Sequence, residues 1–150
     1  MGQLGVGMTA PDFAALDQHG VRRTLSELLE AGRLVLYFYP RDFTPVCTAQ
    51  ACTFRDSMVE LAARQARVVG VSSDSVESHR AFAAKHGVDF PLLSDPDFKI
   101  CDAYSGRYWL FKRTRRVTYV IDPSRKVLGV FEHELSAQKH LDDVLRLLSS

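Results

Sequence analysis

Cysteine is scarce in this chain of 150 residues: there are three, an odd number. A secreted scaffold held by disulfides carries more of them, in even number. The count therefore points to a cytoplasmic chain whose thiols rest reduced, where any disulfide is expected to be catalytic rather than structural. Charge of one sign is also missing. The 19 basic and 18 acidic residues leave a net charge of +1, which gives no global pull toward nucleic acid or anionic membrane. No run reaches the roughly 18 apolar residues of a transmembrane helix. The opening MGQLGVGMTAPDF lacks the n-region and h-region of a signal peptide, and Val6 breaks the myristoylation pattern. A glycine-rich phosphate loop is absent, so no nucleotide cofactor is indicated. Repeats, low-complexity tracts and linkers are lacking too, which predicts one domain over 1–150.

What is present is an alternation of strands and helices. Strand-like runs lie at about 34–39, 67–72, 89–93, 116–121 and 126–132. The run Leu34-Val35-Leu36-Tyr37-Phe38-Tyr39 is apolar throughout, as in a central strand buried on both faces. After it, Thr44 suits an N-cap and Pro45 the first helical position. Cys47, Ala51, Phe54, Met58 and Leu61 then recur at helical spacing. A second helix is predicted over about 75–86, with Asp74 and Glu77 as a capping box and Gly87 as its stop. A third begins near Ser94-Asp95-Pro96, and the last runs from about Ser136 with Leu141, Val144, Leu145 and Leu148 on one face. Asp122-Pro123-Ser124-Arg125 joins two strands as a hairpin. The pattern predicts an α/β fold, a central mixed β-sheet flanked by helices.

Cys47 carries the chemistry. In the first turn of a helix it meets unpaired backbone N–H groups and the positive end of the macrodipole, both of which favour a thiolate nucleophile. The competing reading is a small buried hydrophobe on an apolar stripe. Cys52 lies five residues on. In a regular helix that means about 140° of rotation and roughly 7.5 Å of rise, with Cα atoms about 8–9 Å apart. Disulfides need Cα atoms within about 7 Å, so the two cannot bond while the helix is intact. A metal site would need two further ligands at matching spacing, and Cys-x-x-Cys is absent. Cys101 lies among Phe98, Ile100 and Tyr104 and reads as a packed core thiol.

The segment YFYPRDFTPVCTAQACTFRD resembles the active-site segment of peroxiredoxins, most closely the bacterioferritin comigratory protein or peroxiredoxin Q subfamily. The stretches Gly7–Phe13, Gly70–Asp74, Phe90–Asp95 and Arg116–Asp122 resemble other landmarks of that family. The resemblance implies a thioredoxin-like fold and thiol-dependent reduction of hydrogen peroxide and organic hydroperoxides, without a cofactor or metal. By position it makes Cys47 the peroxidatic cysteine and Cys52 the resolving one. It makes Thr44 the hydroxyl that orients peroxide and thiolate, and Pro40 the shield of the cysteine. Arg116 becomes the arginine that holds the thiolate, with Arg113 and Arg115 as neighbouring alternatives. It implies a thioredoxin- or glutaredoxin-like dithiol as reductant, and a monomer or weak homodimer. Val46 stands where the family usually has glycine, and a β-branched residue resists positive φ.

The remaining features read otherwise. The basic and aromatic residues of 104–115, including Trp109, Phe111 and Lys112, read first as a solvated loop packing one or two aromatics, next as a self-association or reductant-docking surface, and least as a site for single-stranded nucleic acid. His79 and His86 read as solvated residues on one helix face, and His19, His133 and His140 have no ligand spacing. The rival to an enzyme is a redox sensor or interaction protein switched by oxidation of Cys47.

Overall fold

The apolar run at 34–39 becomes the middle of a seven-stranded mixed sheet. The computed structural model describes residues 4–104, 107–108 and 113–149. In chain order the elements are β1 (Ala14–Leu16), β2 (Arg22–Thr24), α1 (Leu25–Leu28), β3 (Arg33–Phe38), α2 (Pro45–Asp56), α3 (Met58–Ala63), β4 (Ala66–Ser72) and α4 (Val76–His86). There follow β5 (Leu92–Ser94), α5 (Lys99–Tyr104), β6 (Arg107–Tyr108), β7 (Arg113–Thr114), β8 (Val117–Ile121), β9 (Val127–Glu132) and α6 (Ala137–Leu148). The sheet order is β2-β1-β5-β4-β3-β8-β9, and β6 pairs with β7 apart from it. β3, β4 and β5 are parallel; β8 runs antiparallel to β3, and β9 to β8.

Alternation along β3 sorts its side chains onto two cores. Leu34, Leu36 and Phe38 pack with α1 and α5 residues such as Leu25, Leu28, Ile100 and Tyr104. Val35, Tyr37 and Tyr39 point the other way, toward Cys47 and Phe54 of α2, Phe82 of α4 and Val144 of α6. A strand buried on both faces in this way has no polar side to expose. Each of these large apolar side chains contributes about 1.5–3 kcal/mol on burial.

Several expectations shift. The strand expected at 89–93 is Leu92–Ser94, because the buried Gln18 amide brackets Pro91 instead: it donates to the Phe90 carbonyl and accepts from Leu92 N. The helix expected from 94–96 begins at Lys99, with the Asp95 carboxylate accepting from the N–H groups of Ile100 and Cys101. Ser75, not Asp74, caps α4 by accepting from Ser78 N, so the expected Asp74–Glu77 box does not form. Gly87 ends α4 in the left-handed conformation, as expected. The stripe from Cys47 to Leu61 spans two helices, since Ser57 at φ −108 and ψ 9 interrupts them. β1, β2 and α1 are three or four residues long and gave no period to read. Of the basic and aromatic segment, residues 105–106 and 109–112, Trp109 among them, lie outside the described residues.

Candidate active site

Strand register decides which arginine meets Cys47. β3 and β8 are antiparallel with Phe38 opposite Val117, so Arg116 falls beside the end of β3, where the chain turns into α2. Arg115, one residue earlier, points to the other side and forms a two-point ion pair with Glu132 (3.0 and 2.9 Å). Arg116 is 4% exposed. Its Nη1 donates to Cys47 Sγ at 3.1 Å and to Gln50 Oε1 at 3.2 Å. Its Nε donates to the Glu134 carbonyl (3.1 Å), and its backbone N–H to the Glu134 carboxylate (2.9 Å). A guanidinium keeps its charge, so the sulfur faces a permanent charged donor whose direction is fixed from behind.

Cys47 sits in the first turn of α2, 1% exposed. Thr44 occupies the N-cap with extended backbone (φ −84, ψ 154), and Pro45 opens the helix. The Thr44 hydroxyl does not cap the helix. It donates to the Arg41 carbonyl at 3.0 Å, so first-turn N–H groups of α2 receive no side-chain cap. Pro40 is half-buried at the turn out of β3. Val46 lies inside α2 without positive φ; the left-handed residue of this turn is Phe43 (φ 67). Beside the thiol, the buried Tyr37 hydroxyl and Gln50 Nε2 have no hydrogen-bond partner among the described residues. Burial pushes the Tyr37 hydroxyl well up, and negative charge at Cys47 adds to that, so Tyr37 stays protonated.

Cys52 is half-buried on the same unbroken helix as Cys47, and both are free thiols. Helix geometry separates them by about 7.5 Å of rise. Cys101 is buried in the opposite core.

Two histidines are buried, and one of them corrects the sequence reading. His79, expected on a solvated face, is 0% exposed. The side chain lies inward because its Nδ1 meets Asp42 Oδ2 at 2.7 Å and its Nε2 meets the Leu93 carbonyl at 3.0 Å. Asp42, Asp74 and His79 form the one grouping among the described residues with carboxylate and imidazole atoms close enough to share a cation. Asp42 and His79 are already engaged with each other and with hydroxyl and carbonyl groups. His140 also is 0% exposed: its Nε2 donates to the His133 carbonyl, and its Nδ1 accepts from Thr118 (both 2.8 Å). Burial lowers its pKa to about 4. Arg116, Thr118 and Val120 follow the expected alternation, each turned to the α2–α6 side of the sheet.

Sequence reasoning did not find Gln50, Glu134, Asp42 or His79. Gln50 carried one signal, its position one helical turn after Cys47. The other three depend on contacts across 18 to 37 residues.

The chain as a whole is similar to known proteins. A family model described as AhpC/TSA family matches residues 6–130. A chloroplastic peroxiredoxin Q of Sedum lineare is 43% identical over 145 residues, covering 96% of this chain and 77% of that protein. The crystal structure of peroxidoxin BcpB from Mycobacterium tuberculosis superposes with a TM-score of 0.92 at 41% identity, covering 98% of this chain and 97% of that one. A structure of Xanthomonas campestris bacterioferritin comigratory protein, concerned with its alkyl peroxide reduction activity, superposes with a TM-score of 0.81 at 32% identity, over 91% and 90% of the two chains.

Proposed function

This chain belongs to the AhpC/TSA family as a thioredoxin-fold peroxiredoxin of the Q type, a thiol peroxidase, and from that premise we propose how its own residues carry the reaction. The observation that carries the proposal is the 3.1 Å contact from Arg116 Nη1 to Cys47 Sγ at a helix start. The Cys47 thiolate attacks one oxygen of a hydroperoxide. An S–O bond forms, the O–O bond breaks, and the departing oxygen takes a proton and leaves as water or an alcohol. Sulfur is oxidised by two electrons to a sulfenic acid. Arg116 and the first-turn N–H groups of α2 supply donors for charge moving onto the departing oxygen. Thr44 turns its hydroxyl toward the substrate when peroxide enters, and Pro40 limits access of water.

Cys52 then attacks the Cys47 sulfenic acid. An S–S bond forms and water leaves. Because both cysteines lie on one helix, α2 has to open between the two steps. A thioredoxin- or glutaredoxin-like dithiol returns the disulfide to two thiols by exchange and is itself oxidised. Hydrogen peroxide and organic hydroperoxides are the substrates, the latter supported by the activity named for the Xanthomonas relative. The chain works as a monomer or weak homodimer in the cytoplasm, apart from nucleic acid and membrane. No helix among the described residues is long and apolar enough to cross a membrane.

The test mixes reduced protein with one equivalent of peroxide and follows thiol loss and intact mass. Rapid appearance of one internal disulfide is expected, and Cys52→Ser should stop at the sulfenic acid or an intermolecular disulfide. Thiols no more reactive than free cysteine would sink the reading. An internal disulfide still forming in Cys52→Ser would move the resolving role to Cys101.

A further inference from the structure

The turn between β3 and α2, residues 39–44, carries a bulky residue in an unfavourable conformation. Phe43 has φ 67, and its ring is 48% exposed. A large side chain in the left-handed region is strained and persists only where the surroundings impose it. Phe43 packs edge-on to Phe82 at 5.2 Å on one side. The preceding residue is restrained as well.

Asp42 is 2% exposed and is held through both main chain and side chain. Its N–H donates to Asp74 Oδ2 (2.7 Å), a carboxylate that also accepts from Ser72 Oγ (2.6 Å). Its Oδ1 accepts from the Tyr39 hydroxyl (2.6 Å), and its Oδ2 from Ser78 Oγ (2.9 Å). Oδ2 also meets His79 Nδ1 at 2.7 Å. His79 Nε2 faces a carbonyl, which only accepts, so that nitrogen carries a proton. One carboxylate thus ties the end of β3, α4 and the edge of β5 to the turn that sets where α2 starts.

We infer that Asp42 and His79 are a positioning pair for peroxide reduction: they fix the 39–44 turn and so set where Thr44 and the start of α2 stand for the incoming peroxide. The inference rests on the peroxidase reading above. Neither residue touches the thiol. Their effect passes through the turn, and a misplacement of about 1 Å at a reacting centre is enough to cost about 10²-fold in rate.

The test is single-turnover kinetics on Asp42→Asn and Ser78→Ala, each confirmed folded by circular dichroism at the assay temperature. Asparagine is near-isosteric, but its amide nitrogen cannot accept from the Ser78 hydroxyl. Ser78→Ala removes one donor from the half-buried wall of the site and is the safer variant for folding. Reaction of Cys47 with hydrogen peroxide should fall about 10²-fold in Asp42→Asn and about tenfold in Ser78→Ala. Alkylation of Cys47 by iodoacetamide, which needs the thiolate but not the peroxide geometry, should hold or quicken. If Asp42→Asn does not fold, Ser78→Ala decides alone. A wild-type peroxide rate per folded molecule would overturn the positioning role. Equal losses in peroxide reaction and alkylation would also overturn it. Failure of the peroxidase reading is a separate result, seen in the wild-type protein as a peroxide rate no higher than that of free cysteine.

Discussion

At the scale of single residues, the site rests on one guanidinium aimed from one end of a strand at a sulfur on the first turn of a helix. Arg116 is aimed by Glu134 behind it and Gln50 beside it. Removing a preorganised donor of this kind costs about 10²–10³ in rate. Arg116→Ala should therefore lower the peroxide rate constant by about that factor in stopped-flow traces of thiol loss; an unchanged rate would assign the role elsewhere. His140 makes a prediction about stability. Its pKa falls from 6.5 to about 4 on folding, so the unfolded chain takes up a proton first as pH drops. The contribution is full above pH 6.5 and is lost as pH falls from 6.5 toward 4, amounting to about 3 kcal/mol. Urea unfolding at pH 7 and pH 4 should show that loss in the wild type and a smaller one in His140→Asn. Equal losses would place the acid sensitivity in other groups.

Among the elements, the proposed reaction asks two incompatible things of α2. Formed, it presents its N-terminal N–H groups and Cys47 to the substrate; opened, it lets Cys52 reach Cys47. The rate of resolution then depends on the local stability of the helix. Ala49 lies between the two cysteines and is exposed, so Ala49→Gly weakens the helix without disturbing the core. Glycine costs about 1 kcal/mol in a helix interior, which should speed disulfide formation by up to about fivefold. The first oxidation should be unaffected. Intact-mass time courses after a peroxide pulse separate the two steps, and an unchanged second step would mean that opening is not limiting. Ser57, which interrupts α2 and α3, marks where an opened segment ends without taking α3 with it.

In the whole molecule, the parts legible in the sequence were those with a strong local period or a tight motif. β3 was readable because six successive residues are apolar, and the start of α2 because threonine and proline precede a periodic run. The β8–β9 hairpin announced itself through Asp122-Pro123. β1, β2 and α1 were too short to carry a period, and Pro91 disguised the edge of β5. The candidate site followed the same rule. Cys47, Cys52, Thr44 and Pro40 lie within 13 residues of one another in a single motif, so they could be named together. Asp42 lay in that motif too, but its partner His79 lies 37 residues on, and a histidine in a polar stretch reads as solvated until the fold buries it. Arg116 required strand register to separate it from Arg115. The central claim is that one helix presents Cys47 to the peroxide when closed and lets Cys52 reach it when open. Hydrogen exchange on the reduced and peroxide-oxidised protein, with disulfide mapping on the same samples, tests it most directly. The account predicts a Cys47–Cys52 disulfide with amides of residues 47–52 protected before oxidation and exchanging freely after it. A Cys47–Cys52 disulfide with α2 still protected, or a disulfide from Cys47 to any other cysteine, would contradict it.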